Sequence, residues 1–160
     1  MNVSQIMKRN VETCRPEDSL ATAAGKMWEG DIGCLPVVNA EGSVIGMITD
    51  RDISMAGYTQ GRALGDIPVA VAMSRTVFSC RPNDGLIEAE EIMRAQRVRR
   101  LPVLEAGGKL AGIVSLNDLA REAEREVGRK GREISAQEIT ATLAAICEPR
   151  RSGALIASVA

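Results

Sequence analysis

The sequence predicts an α/β protein built from two copies of one small unit, packed about a pseudo-twofold axis and followed by a C-terminal helical extension. Three observations carry that expectation. Residues 3–53 lie on residues 69–119 at a constant offset of 66, without a gap. Each copy holds apolar runs of strand length, "CLPVV" and "SVIGMIT" in the first, "RLPVL" and "KLAGIVS" in the second. The segments before and after these runs repeat their apolar residues at helical spacing. A match that runs through turns without a gap marks duplication of a whole fold unit. A unit of about 55 residues is marginal alone, so two copies sharing a buried face is the simplest stable arrangement.

Each copy reads β-α-β-β-α. "VETC" (11–14) and "VFSC" (77–80) are expected to be short opening strands. Asp18 and Asp84 are the expected N-caps of the helices that follow. Leu20, Ala24 and Met27, like Leu86, Ala89 and Met93, form the inward stripes. Gly25 costs that helix about 1 kcal/mol against alanine, which points to close packing there. The Leu35-Pro36-Val37 and Leu101-Pro102-Val103 strands come next, then the turns "NAEG" and "EAGG". "SVIGMIT" and "KLAGIVS" are apolar nearly throughout, so cover on both faces is expected. The closing helices begin at Thr49 and Ser115. Residues 54–68, with Gly57, Gly61 and Gly65, read as connector. The first repeat then takes residues 1–58 with the start of the connector, the linker 59–68, the second repeat 69–124, and the extension and tail 125–160.

Composition removes several classes of function. The chain has 160 residues, 45% of them hydrophobic, but Trp28, Tyr58 and Phe78 are its only aromatics. Base stacking on single-stranded nucleic acid is therefore poorly served. A net charge of −1 gives no field to attract DNA or an anionic membrane. No apolar run suits a signal peptide or a membrane span, so a cytoplasmic protein is expected. There is no histidine, which excludes Ser-His and Cys-His catalysis and any imidazole acid–base step. Cys14, Cys34, Cys80 and Cys147 lack CxxC spacing, so no metal site is expected and the thiols read as small buried groups. No catalytic constellation is visible.

The twin stretches "GMITDRDI" (46–53) and "GIVSLNDL" (112–119) are the candidate site. Thr49 with Asp52 and Ser115 with Asp118 have the spacing of a helix-capping box, which alone accounts for the pattern. The same spacing has a second use. Each motif sits between the end of a buried strand and the start of a helix, where free N–H groups and the helix dipole favour an anion. A hydroxyl donates to phosphate, and a carboxylate accepts from vicinal ribose hydroxyls. Capping and binding are compatible.

The order of elements, the two LPV strands and the twin G-h-h-[ST]-x-x-D motifs resemble a CBS domain pair, or Bateman module, over roughly residues 1–124. That resemblance implies a compact α/β pair that dimerises and takes adenosine-containing ligands in clefts between its repeats. It implies that Asp52 and Asp118 hold ribose, and that Thr49 and Ser115 hold ribose or phosphate. Before the LPV strand the repeats differ: "DIGC" in the first, "RVRR" in the second. Alternation sends Arg99 and Arg100 to opposite sides of the strand, so one of them reaches the second cleft, where the resemblance suggests phosphate contact. A solvated turn is the plainer reading of "RVRR". Lys8 and Arg75 are weaker candidates. Val11, Thr13, Pro36, Val77, Ser79 and Pro102 are the candidate lining of an adenine slot.

Residues 120–134 extend the last helix into a charged run read as a solvated face. Ser135 and Glu138 form a capping box, Ile139, Leu143 and Ile146 an apolar stripe, and Pro149 a stop. Such a stripe docks on its own chain or on a dimer mate. The ending "GALIASVA" reads as a docked strand or a frayed end. The expected function is that of a non-enzymatic regulatory module, homodimeric, sensing AMP, ADP, ATP, NAD or S-adenosylmethionine and acting on a separate effector protein. The alternative is an interaction module whose clefts stay empty and whose motifs only cap helices.

Overall fold

A computed structural model describes residues 1–128 and 133–149. Repeat 1 contains α1 (Leu20–Glu29), β1 (Cys34–Val38), β2 (Val44–Thr49) and α2 (Asp50–Gln60). A short helix α3 (Val69–Ala72) opens repeat 2, followed by α4 (Leu86–Gln96), β3 (Arg100–Leu104), β4 (Leu110–Ser115) and α5 (Leu116–Arg125). Helix α6 (Ala136–Cys147) completes the described chain. β1 pairs antiparallel with β2, and β3 with β4, in matching registers: Cys34 opposite Thr49, Arg100 opposite Ser115. The two-fold relation is visible in one contact. Ser43 and Lys109 occupy equivalent positions and bridge each other antiparallel.

The expected opening strands shrink to single parallel bridges, Cys14 to Val37 and Cys80 to Val103. The chain turns away at the next residue. Asp18 accepts the Arg15 N–H at 2.9 Å, and Asp84 the Arg81 N–H at 2.7 Å. These aspartates cap turns, not helices. Ser19 is the N-cap of α1, its hydroxyl accepting from Thr22 N–H, while α4 starts at Gly85 with Glu88 accepting the Gly85 N–H at 2.7 Å. Ala23, not Ala24, completes the buried stripe of α1. Leu35, Val37 and Ile48 are buried in the repeat-1 core, while Ile45 packs against it half-exposed and Met47 is likewise half-exposed. The expected cover on both faces is thus complete on one only. Residues 54–60, read as connector, are the second half of α2, which ends where Gly61 adopts φ +60°.

The repeats do not pack as two self-contained units. They exchange their leading segments. Val3 and Met7 lie in the core of repeat 2, with Leu86, Met93, Leu101 and Val114. Ile67, Val69 and Met73 lie in the core of repeat 1, with Leu20, Leu35 and Ile48. The backbone repeats the exchange bond for bond. Val3 N–H donates to Asp84 and Ser4 N–H to Pro82, while Val69 N–H donates to Asp18 and Ala70 N–H to Pro16. Lys8 pairs with Ile113 on β4, and Ser74 with Met47 on β2, through two hydrogen bonds each. The glycines of the twin motifs permit this approach. A β-carbon at Gly112 would lie 2.7 Å from the Lys8 carbonyl oxygen, and one at Gly46 2.8 Å from that of Ser74.

Of the described residues in the charged run, Arg121, Glu124, Arg125 and Val127 are exposed, as the expected solvated face requires, and others are not. α5 ends at Arg125, and Glu122, Glu126 and Ile134 are buried. The Glu126 carboxylate accepts from the Glu133 and Ile134 N–H groups. α6 docks on α4 and α5 of its own chain. Its capping box forms as expected, but the buried centre of the helix is Thr142, and Leu143 faces outward. "GALIASVA", with Arg150 and Arg151, lies outside the described residues. Among the described residues no helix is long and apolar enough to cross a membrane. Three of the four cysteines are buried and Cys147 is exposed. Burial pushes the Cys14 thiol up to about 11 and the Cys80 thiol up to about 12, with nearby Asp18 and Asp84 adding to the effect.

Gly46→Ala and Gly112→Ala force a β-carbon against backbone and are expected to lose about 1–3 kcal/mol each, measured by denaturant unfolding. Gly25→Ala should instead gain roughly 0.5–1 kcal/mol, because a β-carbon there meets nothing within 4 Å and the close packing expected from the sequence is absent. A thiol reagent at mildly alkaline pH should label Cys147 rapidly, and Cys14, Cys34 and Cys80 only on unfolding; fast labelling of more than one thiol in the folded chain would contradict the core described here.

Candidate functional site

Each motif begins where a strand ends and hands the chain to a helix. Thr49 closes β2 and is the N-cap of α2. Its hydroxyl accepts the Asp52 N–H at 3.2 Å, and Asp52 Oδ2 accepts the Thr49 N–H at 2.9 Å and its hydroxyl at 2.7 Å. Ser115 and Asp118 repeat the arrangement at the start of α5, with Asp118 Oδ2 accepting the Ser115 N–H at 2.9 Å and its hydroxyl. The first helical N–H of each is tied back to the residue before the LPV strand: Asp50 N–H to Gly33, Leu116 N–H to Arg99. Both capping boxes are therefore closed.

The two motifs differ in what remains free. Asp118 is 7% exposed, and Arg121, one helical turn on, pairs with its Oδ1. Both of its oxygens are engaged. In repeat 1 the equivalent of Arg121 is Met55. Asp52 is half-buried, and among the described residues its Oδ1 has no hydrogen bond or ion pair. Arg121 and Asp50 are the residues that sequence reasoning passed over. The signal for Arg121 was present, since i and i+3 share a helix face.

Arg100 departs from the expected geometry. Alternation assigned one arginine of the pair to the second cleft, but the Arg100 guanidinium reaches across to repeat 1. A β-carbon added at Gly33 would lie 3.9 Å from Arg100 Nη2 and 3.3 Å from Asp50 Oδ2. The missing side chain at Gly33 leaves the room that Arg100 and Asp50 use. Cys34, the repeat-1 counterpart of Arg100, is buried beside them. Burial pushes its thiol up, Arg100 opposes the shift and Asp50 adds to it. Arg99 is exposed. The half-buried Arg100 thus carries positive charge to Gly33 and to Asp50, the first residue of α2.

The remaining candidates fall into two groups. Pro36 and Pro102 are buried and accept the N–H of Cys14 and Cys80. Val11, Thr13, Val77 and Ser79 are half-buried on the segments leading to those bridges. The Thr13 carbonyl accepts from Lys26 Nζ at 2.7 Å, which occupies it in repeat 1. Lys8 and Arg75 are exposed. A surface depression of about 960 Å³ beside Arg81, Asp84, Glu105 and Gly107 includes Ser79 alone of the candidates. Among the described residues no group of three or more His, Cys, Asp or Glu side chains is placed to hold a metal ion.

A pair of interlocked α/β repeats, each ending its buried hairpin in a hydroxyl–Asp helix start, defines the class. The CBS domain pattern matches residues 3–58 and 64–125, and the chain belongs to that family. It is 39% identical over 119 residues to the CBS domain-containing protein YhcV of Bacillus subtilis, covering 74% of this chain and 83% of that protein. Among solved structures it resembles the CBS-domain protein ATU1752 of Agrobacterium tumefaciens, at 36% identity and a TM-score of 0.68 over 76% of this chain and 98% of that one. It also resembles CBSX2, solved in complex with AMP, at 25% identity and a TM-score of 0.69 over 80% of this chain and 98% of that one.

Proposed function

We propose that this CBS pair is a non-enzymatic sensor of an adenosine-containing ligand, from the set AMP, ADP, ATP, NAD and S-adenosylmethionine, acting on a separate effector protein from the cytoplasm. One observation carries the reading. Among the described residues one carboxylate oxygen of Asp52 in the first turn of α2 is unengaged, and the Arg100 guanidinium lies by Gly33 and Asp50, the first residue of that helix. The carboxylate suits a ribose diol, and the guanidinium and helix dipole suit a phosphate. Binding of AMP by the related CBSX2 supports the ligand class. Residues Val11, Thr13 and Pro36, with their counterparts Val77, Ser79 and Pro102, are the proposed adenine lining. Ser115 and Asp118 form the equivalent second site, where Arg121 must first release the aspartate. The alternative, a module whose motifs only cap helices, is favoured by the closed boxes at both helix starts.

The working form is proposed to be a homodimer. The C-terminal stripe does not by itself require a mate, because Ile139 and Ile146 pack on the repeat-2 core while Leu143 faces outward. The surface in need of cover is on repeat 1. Trp28 of α1 is 88% exposed, Tyr58 of α2 is 84% exposed, and Met55 accompanies them. Large aromatics standing in water on two packed helices fit an interface better than a free surface.

Titration calorimetry with the five ligands and adenosine, at fixed salt, tests the sensor. Asp52→Ala should weaken the best ligand by roughly ten- to a hundredfold, the loss of one charge-assisted contact. Asp118→Ala should weaken it less, and Arg100→Ala should weaken AMP far more than adenosine. Absence of heat for every ligand would leave only the capping reading. For assembly, light scattering should give a dimer for the native chain and a monomer for Trp28→Ala/Tyr58→Ala; a monomer for the native chain at high micromolar concentration would end the dimer proposal.

A further inference from the structure

Helix α6 is held on repeat 2 by polar groups that repeat 1 lacks. Glu90 of α4 is 2% exposed and accepts a hydrogen bond from the Thr142 hydroxyl, itself fully buried on α6. The counterpart of Glu90 in repeat 1 is Ala24. At the far end of the seam Arg97 pairs with Glu148 at 2.8 Å, and Arg97 has Asp31 as its counterpart. Below α6, Glu126 holds the approach to the helix through the Glu133 and Ile134 N–H groups, where repeat 1 has Gln60. Among the described residues of this segment, Ile134, Ile139 and Ile146 make the apolar contacts with the repeat-2 core. A seam with this share of polar contacts separates at lower cost than an apolar core, because its groups are well hydrated when apart.

Glu90 makes the seam responsive to protons. Among the described residues the neutral Thr142 hydroxyl is the one hydrogen-bond partner of this buried carboxylate, which leaves it poorly solvated, so the docked helix favours the protonated acid. Burial raises the Glu90 carboxyl above its ordinary value of 4.5. Arg94 of the same helix opposes the shift, while Glu138 of α6 and Glu91 of α4 add to it. Helix α5, also packed on α4, contributes Leu119 and Ala123 to the shared core, and its buried Glu122 is paired with Arg125. From β3 the core receives the uncharged Leu101 and Val103.

We propose that α6 is an acid-tightened latch: it docks on α4 with Glu90 protonated and loosens as Glu90 ionises. Docking takes one proton from solvent to the Glu90 carboxylate, and release returns it. The sign follows from linkage. The docked state binds the proton more tightly than the open state, so the latch is strongest below the ordinary carboxylate value and weakens as pH rises through the raised one. Opening uncovers the face of α4 and α5 on which α6 docks.

Amide hydrogen exchange on the intact chain tests this, with rates corrected for intrinsic pH dependence and α1 as internal reference. Between about pH 5 and about pH 8, protection across α6 should fall roughly tenfold or more relative to α1. Glu90→Gln, which keeps the hydrogen bond without a titrating group, should flatten that dependence and leave α6 protected. Glu90→Ala, the residue that repeat 1 carries, should flatten it as well, and it serves if the glutamine variant fails to fold. Protection of α6 that tracks α1 at every pH in the native chain, or an unchanged pH slope in both variants, would overturn the latch.

Discussion

The structure depends on the seating of each repeat's first residues in the other repeat. Met7 and Met73 fill the cores they are lent to, and the strands beside them carry glycine because a backbone carbonyl arrives where a β-carbon would stand. Remove that approach and each hairpin loses both a hydrogen-bonded neighbour and part of its core. Neither repeat holds a complete interior of its own. A pair of roughly 55-residue units, each marginal in isolation, becomes one cooperative body in which the apolar surface of one is closed by the chain of the other. The same closure draws the two helix starts toward one axis, where Ser43 meets Lys109 and Arg100 crosses to Gly33.

Symmetry of backbone is combined with asymmetry of side chain. The two capping boxes are near copies, yet one aspartate is spent on Arg121 and the other faces Met55 in the same place. One repeat sends an arginine over the axis, and the other offers the glycine that makes room for it. One helix pair is covered by α6, while the other exposes two of the chain's three aromatics. A duplicated scaffold supplies two equivalent positions at each point, and divergence at a few residues assigns each position a separate task.

The repeat, its strand order and the capping boxes were legible because they rest on local signals: period, turn residues and a hydroxyl three positions before an acid. What was not legible depends on distance in the chain. Nothing around Val3 says that its neighbour is Asp84, since the contact joins residues that share no local pattern. Asp18 and Asp84 satisfy the preference for an N-cap, but the proline two positions earlier turns the chain first and claims the carboxylate. Gly25 suggested tight packing and has none, because low helix propensity alone does not report what lies opposite. The reach of Arg100 followed from the emptiness of Gly33 in the other repeat, which alternation along one strand does not see.

The exchange of leading segments also orders events during synthesis. The residues that complete the interior of repeat 2, Val3 and Met7, leave the ribosome ahead of both hairpins, and their partners on β4 and α5 are more than a hundred residues downstream. Repeat 1 cannot close until Ile67, Val69 and Met73 have emerged, and by then Val3 and Met7 are still without a seat. The growing chain therefore carries an unpaired apolar segment until β4 and α5 have emerged. Contacts of such sequence separation slow folding, because loop closure must precede the burial that rewards it. The nascent chain is exposed to mispairing with its neighbours for that whole interval, and a leading segment that finds the equivalent groove on a second chain already has the shape that fits it.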